Sequence, residues 1–143
     1  MKKILFIFLF IWQLPQNLIA LIMLPFLGKL RLISYKKFCF AFEGKHMIGG
    51  ISLGNFAFLS TNLSRNAASV AHEQEGHTHD SKLFGPLYLF VIGLPSLIHA
   101  WLYDKNTCYY DFWTERRANR FANVEVKTTS SGYCYTIMKG SEN

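Results

Sequence analysis

An uncharged run near the N-terminus constrains the fold of this chain more than any other feature. Residues 4–27, ILFIFLFIWQLPQNLIALIMLPFL, contain no charged side chain, and about 20 such residues are enough to cross a bilayer. No small-residue cleavage site separates Ala20 from the rest of the run. Only 17% of all residues are charged, fewer than in most soluble domains. We predict an uncleaved membrane anchor over residues 1–30 and one further domain over residues 31–143.

Polar residues interrupt the middle of this anchor. Gln13, Pro15, Gln16 and Asn17 lie there, where unpaired polar groups are costly in lipid. Two arrangements remain open. In the first, a kinked helix lets the side-chain amides bond to the backbone carbonyls that the proline frees. In the second, the segment forms a hairpin or packs against another apolar segment.

The stretch HEQEGH, from His72 to His77, contains a pattern with chemical meaning. In the zinc motif HExxH, two histidines four residues apart share one helix face, and the glutamate between them is a general base. Here the histidines are five residues apart, and a regular α-helix would turn them roughly 140° away from each other. A π-bulge, which inserts one residue, would return both to one face. The other possibility is that the pair is Glu73 and His77, which already stand four residues apart.

A second candidate helix lies in YYDFWTERRANRFA, with Asp111 as a plausible N-cap. Glu115, Ala118, Asn119 and Ala122 fall on one face of that helix. This face offers a carboxylate, two small residues that permit close helix packing, and an amide that can hydrogen-bond a metal ligand. We therefore expect it to pack against the helix of the HEQEGH stretch.

Together these two stretches resemble the gluzincin metallopeptidases, in which HExxH supplies two histidines and a later helix supplies a glutamate within ExxAD. The resemblance implies that His72, His77 and Glu115 bind zinc and that Glu73 is the general base. Asn119 stands where the family has an aspartate that orients a metal-bound histidine. The runs WQLPQNLIAL and GHTHDSKLFGPLYLFVIGLPS also resemble small bacterial membrane proteins that carry HExGH, so the likeness covers most of residues 10–122. The extra residue in HEQEGH and the asparagine are departures from the pattern.

Strand patterns flank the histidine motif. Residues 37–60 alternate with a period of two and predict a small antiparallel sheet. In gluzincins a strand at the place of ISLGNFAFLS pairs with the substrate backbone; the alternative is that its glycines mark only bulges and turns. The helix of the HEQEGH stretch is expected to begin near Asn62 or Ser64 and to end at Gly85-Pro86. The tail VEVKTTSSGYCYTIMKG predicts a hairpin.

A second uncharged run covers residues 83–101 and is long enough to be a transmembrane candidate. A single crossing there would leave His77 and Glu115 on opposite sides of the bilayer. Gly85-Pro86 and Gly93-Leu94-Pro95 divide the run into short pieces, which favours a re-entrant or interface-buried segment.

Charge and cysteine content bear on partners and location. The net charge of +6 is accompanied by no nucleic-acid motif, so we expect membrane lipid, and not nucleic acid, as the partner of the cations. Four cations follow the anchor and two precede it, namely Lys29, Arg31, Lys36 and Lys37 against Lys2 and Lys3. By the positive-inside rule the site-bearing part faces the cytoplasm, at a bacterial inner membrane if the resemblance holds. The scattered set Cys39, Cys108 and Cys134 predicts no disulfide framework and fits a reduced compartment.

The sequence therefore predicts an α+β fold: a membrane-anchored zincin-like domain with an N-terminal transmembrane helix, a small antiparallel sheet and two site-bearing helices. The function that the resemblance implies is zinc-dependent hydrolysis of peptide or protein substrates, with Glu73 taking a proton from a zinc-activated water. The alternative is a catalytically inactive zincin-like membrane protein that binds a partner or a lipid.

Overall fold

The computed structural model describes residues 1–104 and 106–140 of the chain. It combines helices with a small sheet and a separate hairpin, which confirms the predicted mixture of helices and strands. The α-helices are α1 (Lys2–Trp12), α2 (Leu14–Met23), α3 (Thr61–Ser64), α4 (Ala67–Ala71), α5 (Thr78–Phe84), α6 (Leu94–Leu102) and α7 (Trp113–Ala122). The strands are β1 (Leu30–Lys36), β2 (Cys39–Gly44), β3 (Gly50–Leu53), β4 (Phe56–Leu59), β5 (Val124–Thr128) and β6 (Cys134–Met138). Short 3-10 turns occupy Leu24–Phe26, Gly85–Leu87 and Tyr109–Asp111, and π-helical turns occupy His72–His77 and Leu89–Gly93.

The main sheet is mixed, in the order β1-β2-β4-β3. The outer pairs β1–β2 and β3–β4 are antiparallel, as predicted, but the central pair β2–β4 is parallel, so the prediction of a purely antiparallel sheet is wrong. Aromatic pairing across the central strands stabilises this arrangement, because Phe40 stacks on Phe56 and Phe42 stacks on Phe58, with ring centroids 6.2 and 6.1 Å apart. The predicted tail hairpin is confirmed as β5–β6.

Helices cover both faces of this sheet. Along β4, Phe58 packs with Ala20 of α2 on one face, whereas Ala57 and Leu59 pack with Val70 of α4 on the other. The alternation of small and large apolar residues along the strand thus sends consecutive side chains into two separate clusters. β3 lies at the edge of the sheet, beside the π-helical turn at His72–His77.

The N-terminal apolar run is bent by 84° between Lys2–Trp12 and Leu14–Phe26. In the part of the chain that the structure describes, no single helix is long and apolar enough to cross a bilayer, although this bent pair together has the required length and composition. The bend lies at Gln13, where Pro15 in the first turn of α2 cannot donate a backbone hydrogen bond to α1. A single straight helix over residues 4–27 is therefore not what forms.

The buried amides in this run make both kinds of contact that the sequence left open. Gln13 Nε2 donates to Leu9 O and Asn17 Nδ2 donates to Phe10 O, each at 2.9 Å, so carbonyls beside the bend are satisfied from within the run. Gln16 Nε2 donates to Gly85 O at 2.5 Å, across to the second apolar run. Both arrangements occur together and satisfy the buried amide nitrogens, whereas the amide oxygens of Gln13 and Gln16 are buried without a partner.

The helix that carries the HEQEGH stretch, here called the histidine helix, runs over residues 67–84 as α4, a π-helical turn and α5. Its start is later than predicted, because Asn66 Oδ1 accepts from the N–H groups of Ala68 and Ser69, at 2.8 and 3.3 Å, and so caps the helix. The predicted end is confirmed, since Gly85 takes a φ of 51° just after Phe84.

The second site-bearing helix, α7, begins at Trp113 with Phe112 at its N-cap position. The predicted cap, Asp111, is wrong, because this residue lies in the preceding 3-10 turn. The helix ends at Asn123, which adopts the left-handed conformation with a φ of 55°.

The apolar run at residues 83–101 is less divided than predicted. A 3-10 turn at Gly85–Leu87 precedes one apolar helix over Leu89–Leu102, whose first turn is π-helical. The expected break at Gly93-Leu94-Pro95 is wrong, because Pro95 occupies the first turn of α6 and the wide π turn before it accommodates the missing N–H.

Cys108 and Cys134 form a disulfide that connects the loop before α7 to strand β6, with their Cα atoms 5.7 Å apart. The prediction that the cysteines provide no disulfide is therefore wrong. The two residues are separated by 26 positions, and only the tertiary packing of the β5–β6 hairpin brings them together. Cys39 is a free, buried thiol.

Candidate metal centre

The extra residue of the HEQEGH stretch is absorbed by a π-helical turn that spans His72–His77. This confirms the predicted π-bulge. The two imidazole rings lie on the same side of the helix, with centroids 4.8 Å apart in a T-shaped arrangement, and both side chains are buried. The π-helical turn, with its i→i+5 hydrogen bonds, thus gives the histidines the shared face that a regular α-helix gives to residues four apart.

Glu115 of α7 reaches both histidines. Its Oε2 atom lies 3.0 Å from His72 Nε2 and 3.5 Å from His77 Nε2. Zinc bonds to nitrogen and oxygen measure about 2.0–2.2 Å, so two ligands of a tetrahedral ion stand roughly 3.3–3.6 Å apart. The two distances from Glu115 Oε2 are close to that value.

Asn119, one turn after Glu115, fixes the orientation of the first histidine. Its Oδ1 atom is 2.7 Å from His72 Nδ1, so the ring donates from Nδ1 and turns Nε2 towards Glu115. A neutral imidazole would then place a lone pair 3.0 Å from a carboxylate oxygen. This arrangement is favourable only with a cation between the two atoms, which is either a proton or a metal ion. The donor set therefore fits a metal ion.

A close approach between the two helices makes this geometry possible. A Cβ atom on Gly76 would lie 2.5 Å from the carbonyl oxygen of Ala118, so any larger residue would push α7 away. The predicted face of α7 is buried as a set, at Glu115, Ala118, Asn119 and Ala122. Small residues at both contact points thus bring the carboxylate of one helix to the histidines of the other.

Glu73 is held from the sheet side. Ser52 Oγ of β3 lies 2.6 Å from Glu73 Oε2 and 2.9 Å from Glu73 O. A Cβ atom on Gly50 would lie 2.3 Å from Glu73 Oε1, so this second oxygen occupies the space that a side chain on the strand would fill. One ligand atom from each of His72, Glu73 and His77 lies within 4.8 Å of the others, and this buried group can hold a metal ion.

Ser52 and Gly50 were not identified from the sequence as parts of the site. They lie more than 20 positions before Glu73, and the local pattern ISLG signals only a strand. Their position at the edge of the sheet next to a charged motif is a tertiary property. The alternation of Gly50 and Ser52 along β3 is the only local signal, since residues two apart point to one face.

The buried charges of the site depend on each other. Burial disfavours the charged form of His77, but the neighbouring carboxylates, Glu115 first, outweigh it and raise the pKa of His77 to about 9. Burial likewise opposes charge on Glu115, yet His77 and His72 hold the pKa of Glu115 well below its usual range. In the absence of a metal ion the site therefore contains an ion pair in which a proton stands where a metal ion would bind.

Two other polar residues of the histidine helix lie outside this cluster. The ring of His79 stacks on Phe121 of α7, with centroids 3.8 Å apart. Asp80 is fully buried and accepts a 2.7 Å bond from Arg117 Nε. This ion pair joins α5 to α7 beside the site.

The chain matches no protein-family model, no curated protein and no solved structure. Its function is therefore inferred from the geometry of the site.

Proposed function

We propose that this protein is a membrane-bound, zinc-dependent peptidase of the gluzincin type. The observation that carries the proposal is the meeting of His72, His77 and Glu115 at distances close to those of zinc ligands, beside a second, separately held carboxylate on Glu73. Three ligands with a fourth position left open are typical of catalytic zinc sites.

Each residue has a distinct part in the proposed chemistry. His72 and His77 would ligate zinc through their imidazole nitrogens and Glu115 through its carboxylate, while Asn119 orients His72 by accepting from Nδ1. Zinc would supply a water of lowered pKa and a positive charge that polarises the scissile carbonyl. Glu73 would take a proton from that water. Ser52 holds one carboxylate oxygen of Glu73, and the other oxygen is directed to the strand edge at Gly50.

The same edge suits an extended peptide. A two-residue turn closes the β3–β4 hairpin on the pair Leu53–Phe56, so Leu53–Phe56 and Ile51–Phe58 are the hydrogen-bonded pairs. Gly50 and Ser52, which alternate with them, therefore turn their backbone groups away from β4. Ser52 O already accepts from Tyr88 at 3.1 Å. Gly50 therefore offers the open backbone groups nearest to Glu73, and a substrate strand added there would pass the carboxylate.

Membrane association is supported by where the exposed apolar side chains lie. They concentrate on α1, α2 and the apolar helix Leu89–Leu102, and include Ile4, Phe8, Ile22, Phe90, Leu97 and Trp101. The N-terminal helices contact the segment just before that apolar helix, since Trp12 Nε1 donates to Lys82 O at 2.9 Å and Gln16 bonds to Gly85. Leu89, the first residue of the apolar helix, packs against the cluster that contains Ala20 of α2. Exposed apolar side chains in this number fit lipid. We expect the chain to stay in the membrane pellet after carbonate and high-salt washing, and release by salt alone would contradict this.

Zinc content and hydrolysis test the catalytic part. Detergent-purified protein should contain about one zinc ion per chain, which His72→Ala or Glu115→Ala should remove and His79→Ala, on the same helix as His72, should not.

Glu73→Gln should keep the zinc and lower peptide hydrolysis by about 10²–10⁴-fold, whereas Glu125→Gln should change neither the zinc content nor the hydrolysis. Zinc without hydrolysis would favour the inactive binding protein, and loss of zinc in Glu73→Gln with retention in His72→Ala would make Glu73 and His77 the ligands.

A further inference from the structure

A groove separate from the metal centre lies between the first turns of α1 and the turn that joins β1 to β2. It encloses about 630 Å³, within the range of small-molecule sites. Its cations are Lys2, Lys3 and Lys37, and its apolar walls include Phe6, Ile7 and Phe38. No acidic residue lines it among the residues that the structure describes.

The turn that forms one wall of the groove is strained. Lys37 and Phe38 have φ values of 47° and 63°, the left-handed conformation that asparagine and glycine occupy at most two-residue hairpins. Residues held in this region often serve a function, because glycine would satisfy the backbone better. Here the two unfavourable positions supply a cation and an aromatic ring to the groove.

The available charge favours an anionic occupant. Lys37 Nζ is 2.6 Å from Glu75 Oε2, so the charge of Lys37 is partly neutralised by a carboxylate of the π-helical turn. Lys2 and Lys3 are exposed and make no ion pair within residues 1–104 and 106–140. Two cations at the mouth are thus unneutralised, and a phosphate group provides the complementary charge.

The walls show that this anion carries an apolar part. Ile7 lines the groove and also belongs to the exposed apolar surface of α1, together with Ile4, Phe8 and Ile11. An acyl chain leaving the groove along α1 would therefore keep contact with apolar side chains. A free phosphate would leave this wall uncovered.

From these observations we propose that the groove binds the headgroup and upper acyl chains of an anionic phospholipid. The proposal rests on the membrane association proposed above and is independent of catalysis. Because Lys37 also pairs with Glu75, the bound headgroup would lie one ion pair away from the π-helical turn of the metal centre.

The test uses the full chain in neutral detergent with phosphatidylglycerol, phosphatidylcholine or inorganic phosphate added. Two quantities are measured: the amount of phospholipid that stays with the protein through gel filtration, and the shift in the melting temperature of the protein. We compare Lys2→Gln/Lys3→Gln/Lys37→Gln with the charge-matched Lys29→Gln/Lys45→Gln/Lys139→Gln. Lys29 and Lys45 flank the opposite end of the same hairpin, about 20 Å away along β1.

Phosphatidylglycerol should be retained and should raise the melting temperature of the parent and the control variant, whereas phosphatidylcholine should not. The groove variant should bind about fivefold more weakly for each lysine removed, roughly a hundredfold in total. If it unfolds, Lys2→Gln/Lys3→Gln, at two exposed positions, gives the same comparison. An equal loss in the control variant, or an equal response to inorganic phosphate or phosphatidylcholine, overturns the lipid site. Release of the chain from membranes by salt would instead overturn the membrane association itself.

Discussion

At the scale of single residues, Gly50 controls where the Glu73 carboxylate can lie. A methyl group at position 50 would stand 2.3 Å from Glu73 Oε1, and the flexible end of the glutamate can move away. We expect Gly50→Ala to leave folding and zinc content almost unchanged but to lower hydrolysis by about a hundredfold, because the base loses its position. Steady-state kinetics and zinc analysis of the same sample measure both effects.

Gly93→Ala is the matched control for this prediction. The nearest atom to a Cβ at Gly93 is 3.7 Å away, an ordinary contact, so the activity should not change. Hydrolysis at the parent rate in Gly50→Ala would mean that Glu73 acts elsewhere or not at all.

The coupled charges of His77 and Glu115 make both stability and zinc affinity depend on pH. The pKa of His77 rises from 6.5 to about 9 on folding, so its contribution to the stability of the zinc-free protein is complete below pH 6.5 and is lost as the pH rises through 9. In the proposed function zinc displaces this proton. We expect zinc affinity to increase roughly tenfold per pH unit between pH 6.5 and 9.

Competition with a fluorescent chelator at several pH values measures this slope, and thermal unfolding of the zinc-free protein measures the opposite trend in stability. His79→Ala should preserve both dependences, because the ring of His79 stacks on Phe121 outside the cluster. A zinc affinity that stays constant over this range would contradict the proton-for-metal exchange.

At the scale of elements, the π-helical turn accommodates one inserted residue, and the histidine helix continues as a regular α-helix on both sides of it. Glu75 lies in this turn, and its carboxylate pairs with Lys37 at the β1–β2 turn. Deleting Glu75 gives HEQGH, whose histidines share a face in a regular α-helix. We expect the deletion to bind zinc at least as well as the parent and to keep or gain hydrolysis, with a stability cost of only about 1 kcal/mol from the partly exposed ion pair.

The deletion also separates the possible ligand sets. If Glu73 and His77 are the ligands, removing one residue between them disrupts their spacing and zinc is lost. If the parent binds no zinc but the deletion does, the insertion has inactivated an ancestral site. Zinc analysis of the parent, the deletion and His72→Ala distinguishes these outcomes.

What the sequence could and could not predict follows from the range of the contacts. The π-helical turn and the buried face of α7 were predictable, because each depends on side chains within one or two turns of helix. The support of Glu73 by Ser52, the parallel pairing of β2 with β4 and the disulfide were not, because each joins segments distant along the chain. The bend at Gln13 was predictable only in part, since Pro15 indicates a kink but not an angle of 84°.

At the scale of the whole molecule, the apolar run between the two site-bearing helices returns to the site. His77 Nε2 and Glu115 Oε2 are 3.5 Å apart, and Ser96 Oγ within the run donates to Thr114 Oγ1 at 2.8 Å, next to Glu115. Whatever depth this run reaches in a membrane, both ends therefore lie on one side of it. Two observations indicate different sides. The cations that follow the predicted anchor predict the cytoplasm, whereas a disulfide between Cys108 and Cys134 favours an oxidising compartment.

Labelling of cysteines introduced one at a time, in intact cells and in inverted membrane vesicles, tests this topology. His79 and Arg116 are exposed positions on the two site-bearing helices. A cysteine at either one, in a chain with Cys39→Ala, should add labelling by a membrane-impermeant maleimide from the same side, relative to the Cys39→Ala chain alone. Labelling from opposite sides would exclude a shared metal centre. The side from which the introduced cysteines react should agree with the redox state of Cys108 and Cys134. If they react from outside, Cys108 and Cys134 should form a disulfide and resist the maleimide. If they react from the cytoplasm, Cys108 and Cys134 should be free thiols in the cell.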